Sequence, residues 1–170
     1  MEKNKVVFLD RDGTINKDFG YVHETSKLEF LDGVIEGLKK LICSGYKLII
    51  ITNQSGIGRG YYNLDDYENF NSYMLNELSK EGIEILKVYY CPHTEEDNCE
   101  CRKPKLGLFY QAIHDCNVDI ESSFAIGDRT RDLEICNNSN VKGILLSKEE
   151  IKEYVCKINL LDAVNYILNN

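Results

Sequence analysis

At 170 residues, with 43% hydrophobic and 28% charged residues, the chain suits one globular domain (residues 1–170) and is too apolar to be disordered. A formal net charge of −8 argues against a nucleic-acid partner, since backbone phosphates call for a basic surface. No apolar run approaches the roughly 20 residues of a membrane span, and the polar start Met1 to Lys5 does not read as a signal peptide, so the expected compartment is the cytoplasm.

In chain order, Lys5 to Asp10 (KVVFLD) reads as a buried strand closing on an acid. Val34, Leu38 and Leu41 carry helical spacing, with Gly45 as the stop, and Tyr46 to Thr52 is a second buried strand. Asp65 is the expected cap of a long helix whose apolar face is Tyr67, Phe70, Met74 and Leu78. Ile85 to Tyr90, Ser123 to Ile126 and Gly143 to Leu146 read as further strands. Leu106 to Cys116, Asp132 to Asn138 and Leu160 to Leu168 read as helices. Strands alternating with helices imply an α/β fold: a Rossmann-like parallel sheet in three layers, with helices on both faces. In such sheets ligands bind beyond the carboxyl ends of the strands. Asp10 to Thr14, Thr52 to Ser55 and Gly127 to Asp132 all fall there.

Asp10-Arg11-Asp12-Gly13 directly after the first strand supplies two carboxylates that can take different roles. One can attack phosphorus while the other protonates the leaving oxygen and later activates water. Taken alone, the same residues also fit a turn or helix cap. Thr52 brings a hydroxyl to the same mouth, Arg102-Lys103-Pro104 brings positive charge, and Asp128 follows the fourth strand. Asp10 and Asp128 can share a hard cation that keeps several waters, as magnesium does.

Seven cysteines are many for a cytosolic chain of this size. Cys43, Cys116, Cys136 and Cys156 lie in apolar or helical contexts and read as small core residues. Cys91, His93, Cys99 and Cys101 are different, forming a Cys-x-His-x5-Cys-x-Cys pattern that can close a structural zinc site. Free surface thiols are the alternative, and a disulfide is disfavoured in a reducing compartment.

In order and kind, these motifs resemble the haloacid dehalogenase superfamily of phosphotransferases over nearly the full chain. The resemblance implies a covalent aspartyl-phosphate on Asp10, with Asp12 as general acid and base. Thr52 and Lys103 would stabilise the transferring phosphoryl group. Magnesium would be held by Asp10, the Asp12 carbonyl and Asp128. The cysteine loop resembles two branches, the D-glycero-D-manno-heptose 1,7-bisphosphate phosphatases and the histidinol-phosphate phosphatases, and both imply a capless enzyme. Phe19 to Glu24, Thr52 to Tyr61 and Tyr89 to His93 resemble the heptose branch. The short spacer Thr94 to Asn98 resembles the histidinol branch, and Arg129 stands where many heptose enzymes have Lys.

The expected substrate is thus a small phosphorylated sugar or amino alcohol. Arg11, Asp18, Phe19, Gly20, Tyr21, Asn53, Gln54, Ser55, Arg102 and Arg129 are its candidate contacts. Arg102 and Arg129 are assigned to a distal phosphate or sugar hydroxyls. Small capless relatives imply a monomer. End-processing of nucleic-acid phosphates and a non-catalytic binding module are the competing classes. His23 reads as a loop-packing residue, His114 as a surface residue, and Asp132 as a helix-start residue bracing the site.

Overall fold

The computed structural model describes residues 3–170; Met1 and Glu2, the first part of the polar start, lie outside them. Six strands form one sheet: β1 (Val6–Leu9), β2 (Lys47–Asn53), β3 (Ile85–Cys91), β4 (Phe124–Gly127), β5 (Lys142–Leu146) and β6 (Val155–Lys157). Their order is β3-β2-β1-β4-β5-β6, and every pair is parallel. The chain winds outward from β1 to β3 and then crosses to the other side of β1. The crevice between β1 and β4 is therefore the point where the winding reverses, the usual ligand position in such sheets.

Alternation along the central strands supplies two cores. Val7, Leu9, Leu48 and Ile50 point to one face and Val6, Phe8, Ile49 and Ile51 to the other. The first face is covered by α1 (Val34–Cys43), α3 (Leu64–Lys80) and α6 (Leu160–Asn169). The second is covered by α4 (Gly107–Asp115) and α5 (Glu134–Asn138). A fully buried aliphatic side chain of this kind contributes roughly 1.5–3 kcal/mol. Burial on both faces is what favours parallel strands here.

Three sequence readings need correction. The cap of α3 is Asn63, not Asp65: the Asn63 side chain accepts the Asp66 N–H at 2.8 Å, and the Asp66 carboxylate accepts the Asn63 N–H at 2.9 Å. Asp65 sits inside the first turn, where its charge favours the helix N-terminus instead. Cys43 is exposed rather than in the core, because it ends α1 on the outward side. Cys116, Cys136 and Cys156 do pack at the edge of the second core. Strand β6 was not expected, since three residues of mixed polarity carry no periodic signal; it exists by pairing Cys156 with Leu145 of β5.

Candidate active site

Asp10 leaves β1 at its carboxyl end, and its backbone N–H donates to the Ile126 carbonyl of β4 at 3.2 Å. The nucleophile candidate is thus held by the neighbouring strand. Lys103 is almost fully buried, and its ammonium donates to Asp10 Oδ1 at 2.9 Å and to the Ile51 carbonyl at 2.6 Å; Asp132 Oδ1 lies 2.7 Å away. Burial alone pulls an ammonium pKa down, but Asp10 and Asp132 outweigh it and hold Lys103 above its ordinary value. Asn53, at the end of β2, clamps the backbone of Lys103: its amide donates to the Lys103 carbonyl at 3.1 Å and accepts the Lys103 N–H at 3.0 Å.

Asp12 receives four donors. Arg11 donates from Nε and Nη2 at 3.2 and 3.1 Å, Asn16 Nδ2 at 2.9 Å and Gln54 Nε2 at 3.1 Å. Burial nevertheless raises the Asp12 carboxyl above its ordinary value, against the lowering by Arg11 and Asn16. Gln54 is a junction: Nε2 also donates to Thr52 Oγ1 at 2.9 Å, and Oε1 accepts from Arg11 at 3.3 Å and from the Tyr62 hydroxyl at 2.5 Å. Burial pushes the Tyr62 hydroxyl up to about 12, so it remains a donor.

Asp128 follows β4 and lies against Gly13. A Cβ at position 13 would stand 2.3 Å from Asp128 Oδ2, and Gly13 has φ +83, so both space and backbone require glycine. Asp128 Oδ1 is buried without a hydrogen-bond partner. Burial first, and then repulsion from Asp10 and Asp132, lift the Asp128 carboxyl to about 7. Oxygens of Asp10, Asp128 and Asp132 all lie within 4.8 Å of one another. An orphaned buried oxygen among three carboxylates fits a hard divalent cation of the magnesium type.

A cleft of ≈ 330 Å³ opens over these groups. Of the residues read from sequence, Asp10, Asp12, Asp18, Gly20, Tyr21, Asn53, Gln54, Ser55, Arg102, Asp128 and Arg129 line it. Four do not. Thr52 and Lys103 are buried beneath the floor, the Thr52 hydroxyl engaged by Gln54 rather than facing the mouth. Arg11 is fully buried behind Asp12, donating also to the Val22 carbonyl at 2.8 Å and stacking 4.6 Å from the Phe70 ring. It is therefore not a substrate contact in this arrangement. Phe19 is 56% exposed and does not line the cleft, although Asp18, Gly20 and Tyr21 do.

Arg59, Tyr62, Glu95 and Arg131 also line the cleft and were not anticipated. Glu95 accepts from Arg59 at 2.7 Å and from Arg102, joining the cysteine loop after β3 to the Gly58-Arg59-Gly60 turn. Arg59 and Arg131 carried a signal, standing inside the Thr52 to Tyr61 and Gly127 to Asp132 stretches; Tyr62 and Glu95 carried none. His23 stacks on Tyr62 with ring centroids 4.6 Å apart, and His114 is 91% exposed. Asp132 accepts the Arg129 N–H at 3.0 Å and opens the turn before α5.

Beside the cleft, Cys91, His93, Cys99 and Cys101 converge. Sulfur–sulfur separations are 3.1, 3.5 and 3.6 Å, and His93 Nδ1 lies 3.2 and 3.4 Å from two sulfurs. A tetrahedral zinc with Zn–S of about 2.3 Å sets sulfur edges of roughly 3.8 Å, close to these values. The cysteines are free, and no sulfur pair is at bonding distance. Burial raises the Cys99 thiol, but N–H groups of Arg102 and Cys101 outweigh it and bring it down to about 7, toward the thiolate a metal needs. The donor set fits zinc.

The chain matches the polynucleotide kinase 3 phosphatase family over residues 5–142. It is 44% identical over 170 residues to D-glycero-beta-D-manno-heptose-1,7-bisphosphate 7-phosphatase of Helicobacter pylori strain J99, covering 96% of this chain and 97% of that one. The chain belongs to the heptose-1,7-bisphosphate 7-phosphatase family of the haloacid dehalogenase superfamily. A second member of the family, D-glycero-alpha-D-manno-heptose-1,7-bisphosphate 7-phosphatase of Campylobacter jejuni, is 44% identical over 151 residues, covering 89% of this chain and 87% of its own. The crystal structure of D,D-heptose 1,7-bisphosphate phosphatase from B. bronchiseptica, complexed with magnesium and phosphate, shares the fold. Its TM-score is 0.87 at 24% identity, covering 97% of this chain and 98% of that one. No helix among the described residues is long and apolar enough to cross a membrane.

Proposed function

We propose that the protein is a magnesium-dependent phosphatase that removes the C7 phosphate of D-glycero-D-manno-heptose 1,7-bisphosphate through an aspartyl-phosphate on Asp10. The observation that carries the chemistry is Asp10 paired with Lys103 at 2.9 Å, with the unpartnered Asp128 oxygen in the same carboxylate cluster. Relatives at 44% identity over nearly the whole length carry the choice of substrate.

Lys103 engages one Asp10 oxygen, and the other attacks phosphorus. The P–O bond to the sugar breaks as the O–P bond to Asp10 forms, and Asp12 gives its proton to the departing C7 oxygen. Burial keeps Asp12 inclined to hold that proton. Water then attacks the phosphorus of the aspartyl-phosphate, Asp12 takes its proton, and inorganic phosphate leaves with Asp10 restored. Asp10, the Asp12 carbonyl and Asp128 would hold magnesium, which supplies positive charge against the phosphoryl oxygens.

Arg11 and Gln54 keep the Asp12 carboxylate aimed at the cleft, and Thr52 fixes Gln54. Zinc on Cys91, His93, Cys99 and Cys101 would hold the segment that carries Arg102 and Lys103. Asp18, Gly20, Tyr21, Ser55, Arg102 and Arg129 are the proposed contacts of the remaining substrate, and the free thiols suit a reducing compartment such as the cytoplasm.

Phosphate release in magnesium tests the reading on heptose 1,7-bisphosphate, histidinol phosphate and a 3′-phosphorylated oligonucleotide, with Asp10→Asn as control. Rapid release from the bisphosphate alone, lost in the control, is expected. Faster release from histidinol phosphate or from the oligonucleotide would overturn the substrate assignment. Activity that survives Asp10→Asn would overturn the nucleophile.

A further inference from the structure

The two walls of the cleft differ in how far their positive charge is already neutralised. On one wall Glu95 takes Arg59 on Oε2 and Arg102 on Oε1, so two guanidiniums share a carboxylate. Arg102 donates in addition to the His93 carbonyl at 3.4 Å. On the opposite wall Arg129 makes a single long contact, Nε to Asp128 Oδ2 at 3.6 Å, and its side chain is 63% exposed. The exposed side chain of Arg131 has no ion pair and no hydrogen bond among the described residues.

These two arginines do more than edge the cleft. Together with Asp128 they also line an adjoining hollow of ≈ 390 Å³, whose other polar residues are Thr130 and Ser147. A substrate with two phosphates brings a second dianion into a cleft already holding Asp10, Asp12, Asp18 and Asp128. Repulsion drives that group toward whichever cations are unpaired. A planar guanidinium fork matches phosphate geometry in a way that an ammonium does not.

We infer that Arg131 is a specificity-determining residue, which with Arg129 binds the non-reacting phosphate of the sugar bisphosphate in the hollow beside the cleft. Arg102, already met by Glu95, is left to the sugar. The assignment rests on the bisphosphate reading given above, and it moves the distal phosphate toward Arg131, a position the motifs did not single out.

The experiment compares wild type, Arg131→Gln and Arg131→Lys on heptose 1,7-bisphosphate and on p-nitrophenyl phosphate, both in magnesium. The quantity read is the ratio of the two kcat/KM values. Loss of one exposed charge-assisted contact to phosphate is expected to lower that ratio about tenfold in Arg131→Gln. Arg131→Lys retains part of it, and added salt lowers the wild-type ratio more steeply than that of Arg131→Gln. A wild-type preference that survives Arg131→Gln within about twofold, or an equal loss on both substrates, overturns the assignment alone. A wild-type enzyme that turns over p-nitrophenyl phosphate but not the bisphosphate overturns the substrate reading and the assignment together.

Discussion

Gly13→Ala separates backbone strain from disruption of the carboxylate cluster. An L-residue at φ +83 costs roughly 1–2 kcal/mol whatever surrounds it. At this size each kcal/mol corresponds to about 2–4 °C, so strain alone lowers Tm by about 2–8 °C. The new methyl also meets Asp128 Oδ2 at 2.3 Å and its Cγ at 2.8 Å, so the carboxylate must retreat by about an ångström to reach ordinary contact. Displacement of a proposed metal ligand on that scale is expected to cost on the order of 10²-fold in rate. Gly82→Ala is the control: its φ is +77, but nothing lies within 4 Å of the added carbon. Calorimetry and phosphate release across a magnesium titration give the two readouts. Both variants should melt earlier by similar amounts, while only Gly13→Ala loses activity and needs more magnesium. If Gly13→Ala matched Gly82→Ala in both activity and magnesium dependence, Asp128 would not be part of the working site.

Lys103→Met should abolish turnover and destabilise the fold by about 3–5 kcal/mol, because Asp10 and Asp132 lose their buried counter-charge. Adding Asp132→Asn should restore part of that stability without activity, as measured by urea denaturation; no recovery would sink the account. With magnesium chelated, the Asp128 carboxyl is held at about 7 against an ordinary 3.8. The folded state then binds the proton more tightly than the unfolded state, so this group's contribution is greatest below pH 3.8 and falls as pH rises to about 7. Chelated wild type should therefore lose Tm between pH 5 and 8 relative to Asp128→Asn, and magnesium should reverse the loss; an identical pH trend in the two proteins would refute it. Elemental analysis should find about one zinc per chain, reduced in Cys101→Ser together with kcat, since Lys103 lies two residues on. Full activity in metal-free Cys101→Ser would show that the loop does not position the lysine.

The proposed reacting groups were readable because Asp10 and Asp12 end or follow the first apolar strand and Asp128 follows the fourth. That pattern placed them at one mouth, the resemblance to the superfamily suggested their roles, and ligand type and spacing marked the cysteine loop. What sequence could not convey was the direction of side chains. Arg11 and Thr52 stand in the right motifs yet face inward, because Gln54 folds back to engage both. Glu95 sits in a polar spacer that resembles any solvated turn, and its two partners come from different places: Arg59 from the end of the α2 turn (Ser55–Gly58) and Arg102 from its own loop. The capping of α3 by Asn63 rather than Asp65 is a register error of two residues, within the ambiguity of adjacent polar residues at a helix start. Strand β6 depends wholly on its pairing with β5.

The place of β4 beside β1 also has a bearing on how the enzyme comes into being on the ribosome. Asp10 emerges early, but the carbonyl that holds its backbone belongs to Ile126, and its proposed metal partner is Asp128. Lys103 comes between them. A growing chain that has already built β1, β2 and β3 exposes the inner edge of β1 as an unpaired strand and carries the proposed nucleophile, Asp10, with no charge partner. Synthesis must pass Asp132 before any of the chemistry can begin, so the half-made protein is inert toward its substrate while its most adhesive edge stays open.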